Sequence, residues 1–158
     1  MDMPVPKGLV LGVTERVVTT AIKMLAEAGK PDKCGGYFVL LDDKGHLQLV
    51  SCIGLNPFEK VRKRVELAWE KCGRLLDNPE DLTSFDTRNP DAERFGGAVR
   101  GRTLVFGFSG LPELWDEAAM FVVAIITGEL TKDEVLSKIS EARNPFLWPL
   151  LAACDWVN

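Results

Sequence analysis

Only one histidine, His46, occurs in this chain, and its four cysteines, Cys34, Cys52, Cys72 and Cys154, lie far apart with no C-x-x-C spacing. A structural zinc site needs four N or S ligands at short spacings, so this scarcity argues against one. In a reducing compartment the thiols are most simply buried small apolar groups. No strand, glycine-rich loop and Lys-Ser/Thr order is present to cradle a phosphate. Positive charge is not in excess either: 19 Lys and Arg against 23 Asp and Glu give a net charge of −4, so a nucleic-acid backbone is not an expected partner. No stretch reaches the roughly 18 uninterrupted apolar residues of a membrane helix. The first residues, MDMPVPKGLVLGV, carry an acid, two prolines and a short apolar run, too weak for the core of a signal peptide. A soluble, cytoplasmic protein is the expectation.

What is present reads as one domain. A chain of 158 residues buries about 68–70% of its unfolded surface, enough for a core without staples. The chain is organised around Phe95 to Ala124. Here a Gly96-Gly97 start, an apolar run, an Arg100-Gly101 break, a second run and a Ser109-Gly110 stop precede a helix opened by Pro112, so the stretch reads as hairpin then helix. The helix, over 111–127, is apolar nearly all round. Leu114, Trp115, Ala118, Ala119, Val122, Ile125 and Ile126 fill one face and Met120, Phe121 and Val123 much of the other, so a second layer must cover it: another helix of the chain or a second subunit.

Earlier in the chain, Val17, Val18, Ala21, Ile22, Leu25 and Ala28 recur at helical steps and predict a helix over 14–28 capped by Thr14. Gly36 to Leu41 and His46 to Ile53, joined by Asp42-Asp43-Lys44-Gly45, predict an antiparallel hairpin. Asn56-Pro57 opens a helix over 57–77, with Asn56 as cap and charge pairs at Glu59/Lys63 and Glu70/Arg74. Its apolar stripe runs through Val61, Val65, Ala68, Trp69, Cys72 and Leu76. The face with Lys60, Arg62, Lys63 and Arg64 is solvated or meets an acidic group. Residues 78–94 read as a long polar loop, functional, mobile or packed on a partner, in which 82–85 could add a short edge strand. After Gly128, Thr131 with Glu134 forms a capping box for a helix over 131–142. The apolar tail 144–158, interrupted by two prolines, must pack on the body or across an interface. Residues 129–158 form a helical extension of the single domain.

Several words in this order resemble one family. Asp42-Asp43-Lys44-Gly45-His46-Leu47 is similar to the D-x-x-G-H-L turn of the GlcG, HbpS and PduO carboxy-terminal-domain family, small proteins of which several bind haem or act beside corrinoid and glycolate enzymes. Asn56-Pro57 sits where that family has a proline-led helix, and Phe95-Gly96-Gly97-Ala98-Val99 resembles its G-G-x-P-I strand. Gly101 to Val105, then Gly107-Phe108-Ser109-Gly110 with Pro112-Glu113 and Asp116-Glu117, resembles its G-x-V-V-G-x-I-G-V-S-G-x-x-x-E-x-D-E signature. The agreement runs from about Thr14 to Gly128. The resemblance implies a profilin-like α/β layer fold, an antiparallel sheet with helices on both faces, and commonly a homo-oligomer, here through helix 111–127 and the tail.

The candidate sites follow from both readings. His46 is the natural haem iron ligand if there is one, and otherwise a wet residue at the start of a strand. With iron at His46, Arg62 or Arg64 would meet a propionate. Ser109, Gly110 and Glu113 place backbone N–H groups at a helix mouth, where an anion is favoured, or where Glu113 itself supplies the charge. Asp116 and Glu117 are adjacent, point in different directions and are poorly placed for paired acid and base work. Cys52 and Cys72 have no base near them in sequence. The leading expectation is a non-catalytic protein that binds haem or another small anionic ligand. Two others stand beside it: a self-assembling interaction module with no ligand, and an enzyme on a small acid or ketone.

Overall fold

The computed structural model describes residues 5–154. The last four residues of the apolar tail lie outside them. Nine elements follow in order: α1 (Lys7–Glu27), β1 (Gly35–Asp42), β2 (Leu47–Gly54), α2 (Val61–Leu76), β3 (Ala98–Arg100), β4 (Leu104–Ser109), α3 (Glu113–Ile126), α4 (Lys132–Leu136) and α5 (Leu147–Ala153). The four strands make one antiparallel sheet in the order β2-β1-β4-β3. The fold is α+β with helices on both faces, the layering expected from the sequence.

Alternation along the strands divides the core in two. Phe38, Leu40, Phe106, Phe108 and Val99 face α1, α3 and α5 and join the larger core. Val39, Leu41, Val105 and Ala98 face Ala68, Cys72 and Leu75 of α2. Helix α2 comes close to the sheet because Gly107 has no side chain: a Cβ there would lie 2.3 Å from Cys72 Sγ and 3.0 Å from the Ala68 carbonyl.

Helix α3 is covered as its sequence demands, with Trp115 through Ala124 all buried. The second layer comes from within the chain, since α1 lies beside α3 on the same face of the sheet and α5 packs on both helices. The α4 cap is present, Thr131 Oγ1 accepting from Glu134 N at 3.1 Å, although the helix ends at Leu136.

Four local expectations are corrected. Helix α1 begins at Lys7, and Thr14 lies buried in its interior with its hydroxyl bonded back to the Val10 carbonyl at 2.7 Å. Threonine can satisfy its hydroxyl in this way and therefore does not have to mark a helix start. Asn56 does not cap α2. Its amide turns back to the Gly36 and Ile53 carbonyls at 3.2 and 3.1 Å, and a 3-10 turn over Phe58–Lys60 precedes the helix. The second hairpin turns over residues 101–103, where the Glu129 carboxylate accepts from the Thr103 and Leu104 N–H groups at 2.8 and 2.9 Å. The edge strand expected at 82–85 shrinks to one bridge, Thr83 to Val99.

Candidate functional site

Where α2 passes the start of α3, above the Ser109 end of β4, a cleft of about 420 Å³ opens. Its rim and walls carry Lys33, Lys60, Lys63, Arg64 and Lys71, with Leu67, Phe95 and Leu111 as apolar lining. Two acids reach it, Glu113 and Asp116, and both are already engaged.

Asp116 forms the floor. It is 2% exposed, and so is Lys71, whose Nζ lies 3.1 Å from Asp116 Oδ2 and donates to the Phe108 carbonyl at 2.8 Å. Asp116 Oδ1 accepts from Leu111 N at 3.0 Å. Burial pushes the Asp116 carboxyl up to about 6, against the opposing pull of Lys71 and of the Leu111 and Gly110 N–H groups. The Leu111 and Gly110 N–H groups before α3 are thus taken by Asp116, and Glu113 does not serve them. Glu113 instead accepts three hydrogen bonds from Arg88, Nε being shared between both carboxylate oxygens, and one from Gly96 N at 2.6 Å. Burial raises its carboxyl, but the Arg88 guanidinium and the Gly96 N–H outweigh this and hold it below the usual range.

Arg64 is the cation best placed to meet a ligand. It is 9% exposed, and its Nη1 donates to Asn56 Oδ1 at 2.6 Å. Because the Asn56 amide is itself tied to the Gly36 and Ile53 carbonyls, the guanidinium is held by the hairpin rather than by another charge. Lys63 pairs with Glu93 near the rim. Lys33 and Lys60 have no carboxylate partner among the described residues.

Of the residues singled out from sequence, Arg64, Ser109, Gly110 and Glu113 come together in this cleft. Arg62 is exposed and is not part of the lining. His46 is not brought there either. It sits in the turn between β1 and β2, beyond the Asp42 end of β1, whereas Ser109 pairs with Tyr37 near the other end. Five residues of strand, roughly 17 Å, separate those ends. The His46 side chain is 73% exposed and lies with Nδ1 3.1 Å from Asp42 Oδ2, while Asp42 Oδ1 accepts the His46 and Lys44 N–H groups at 2.8 and 2.9 Å. A porphyrin needs apolar walls and cations for its propionates. The His46 ring stands in solvent against the Asp42 carboxylate rather than against an apolar wall, so these surroundings do not fit the group.

Lys71 was missed in sequence, and Arg64 was not separated from its neighbours. The signal was spacing: Arg64, Ala68, Lys71, Cys72 and Leu75 share one buried helix face. Cys72 points at the sheet, and burial pushes its thiol up to about 12, so it packs and does not react. Among the described residues no group of three or more His, Cys, Asp or Glu could hold a metal ion, and no helix is long and apolar enough to cross a membrane.

No family model matches the chain, and no curated protein matches it. Among solved structures it is similar to the crystal structure of Klebsiella pneumoniae protein ORFY, of the family DUF336, which is the GlcG-like family. The likeness is 16% in sequence with a TM-score of 0.44, over 76% of this chain and 90% of that one.

Proposed function

We propose that the chain binds a small anionic ligand in the cleft between α2 and the start of α3, and performs no chemistry on it. The observation that carries this reading is the charge of the lining. Five cations and two acids line the cleft in a chain whose net charge is −4. Lys71 and Lys63 are paired with Asp116 and Glu93, and Glu113 with Arg88, which leaves Lys33, Lys60 and Arg64 without a carboxylate partner among the described residues. An excess of one sign of charge in a cleft raises the local concentration of the opposite ion and steers its approach. At about 420 Å³ the space suits a small molecule, near the low end of the roughly 300–1,000 Å³ common for ligand sites. The lining includes no histidine or cysteine, and its buried Lys71 and Asp116 are engaged with one another and with the main chain.

Calorimetric titration of the full chain with acetate, benzoate, phosphate and sulfate tests the reading, together with the double variant Lys60→Ala, Arg64→Ala. Saturable heat from at least one of these anions, lost in the double variant, is the expected result. Silence across all four would overturn it. Sedimentation on the same samples reads the assembly state and so addresses the self-assembling module, for which α3, covered within the chain, offers little free apolar surface.

A further inference from the structure

We propose that the occupant of this cleft is an organic monocarboxylate with a compact apolar body, its carboxylate held by Arg64 and its body laid on Leu67, Phe95 and Leu111. This rests on the anion-binding reading above and narrows it.

Arg64 selects the head group. Nη1 is committed to Asn56, and the guanidinium has no other acceptor among the described residues. The remaining Arg64 donors have no partner among the described residues and are not sealed from solvent, and Arg64 lines the cleft. A planar fork held in place at one corner presents its other N–H groups in the geometry of a carboxylate, with little further rotamer freedom to lose. Lys71 does not compete as an anchor, because Asp116 neutralises it and the Phe108 carbonyl takes a second of its protons.

The lining selects the body. Leu67, Phe95 and Leu111 form an apolar wall beside Arg64, and an inorganic anion would leave it wet. A carboxylate with an aromatic ring or a short alkyl chain covers that wall and keeps its charge at the guanidinium. Lys33 and Lys60, on the rim, supply attraction at a distance rather than a second seat.

The test is calorimetry at pH 7 on the full chain with benzoate, hexanoate, acetate and phosphate, and on Arg64→Ala, Arg64→Lys and Leu67→Asn, each first checked for an unchanged circular dichroism spectrum. Benzoate or hexanoate is expected to bind at least about tenfold more tightly than acetate or phosphate, the gain from covering a few methylene equivalents. Arg64→Ala removes about tenfold or more of that affinity, and Arg64→Lys restores only part of it. Leu67→Asn is expected to erase the preference over acetate while acetate still binds. Equal binding of acetate, phosphate and benzoate would overturn the carboxylate-with-body assignment and leave an anion site standing. Tighter binding of phosphate than of benzoate would do the same. Failure of every anion would remove both readings together.

Discussion

Arg143 clasps Glu117 through two parallel hydrogen bonds, Nη1 to Oε1 and Nη2 to Oε2, each 2.8 Å long. Glu117 is fully buried and also accepts from Thr83 Oγ1 at 2.5 Å and from the Asn144 amide at 2.9 Å. Arg143 lies 3.5 Å above the Phe85 ring. One carboxylate on α3 therefore joins the long loop to the carboxy-terminal extension.

Removing one partner of such a pair leaves an uncompensated buried charge. Arg143→Ala is expected to lower unfolding free energy by roughly 3–5 kcal/mol, far more than an exposed pair would cost. Urea unfolding measures it, and a loss below about 1 kcal/mol would show that Glu117 relaxes to water.

Asp116 makes a pH prediction with a definite sign. Its carboxyl is raised from 3.8 to about 6 in the folded chain, so between those values the native state keeps a proton that the unfolded state has released. Stability contributed by Asp116 then falls as pH rises from about 4 to about 6 and is level above that. Unfolding curves at pH 4, 5, 6 and 7, compared with those of Asp116→Asn, should show the wild-type advantage shrinking across this window. An advantage that grows with pH would contradict the assignment.

Gly97 has φ +126°, and a Cβ there would meet Lys71 Nζ at 2.7 Å, Asp116 Cβ at 2.9 Å and the Phe108 carbonyl at 2.9 Å. Gly97→Ala strains the backbone and presses on the buried pair, so a destabilisation of roughly 1–3 kcal/mol is expected. Thermal unfolding reads this directly, and calorimetry should show weaker anion binding because the cleft floor has moved.

His46→Ala is expected to leave binding in the cleft unchanged and to cost no more than about 1 kcal/mol of stability, since the histidine contact with Asp42 is exposed. Hemin titrations of the wild type and this variant should give superimposable spectra. A sharp Soret band present in the first and absent from the second would restore His46 as an iron ligand.

The sequence was most legible where a local pattern had one physical solution. Asp42 to Gly45 between two apolar runs gave the first hairpin, and the all-round apolar 111–127 stretch required cover on two sides, which the sheet, α1 and α5 provide. Thr14 misled because its hydroxyl can be satisfied inside a helix as well as at its start. The cleft was half legible. Arg64 and Glu113 stand out in the sequence, but Lys71 does not, because its partner, Asp116, lies 45 positions away. Arg62 and Arg64 differ only in which side of α2 they occupy, and that depends on how the helix rolls onto Gly107.

The segment after α2 carries a lesson about where a conformation is written. Arg74 donates to the Ser84 carbonyl at 2.6 Å and the Phe95 carbonyl at 2.5 Å, and Arg100 to the Leu75, Asp81 and Asn78 carbonyls at 2.5, 3.0 and 3.3 Å. Most of these acceptors are main-chain atoms of the loop itself, which every amino acid supplies. These contacts do not depend on the loop's own side chains, of which Thr83, Arg88 and Glu93 are held separately, by Glu117, Glu113 and Lys63. Part of the instruction for that path therefore resides outside the loop, in two arginines on the neighbouring helix and strand.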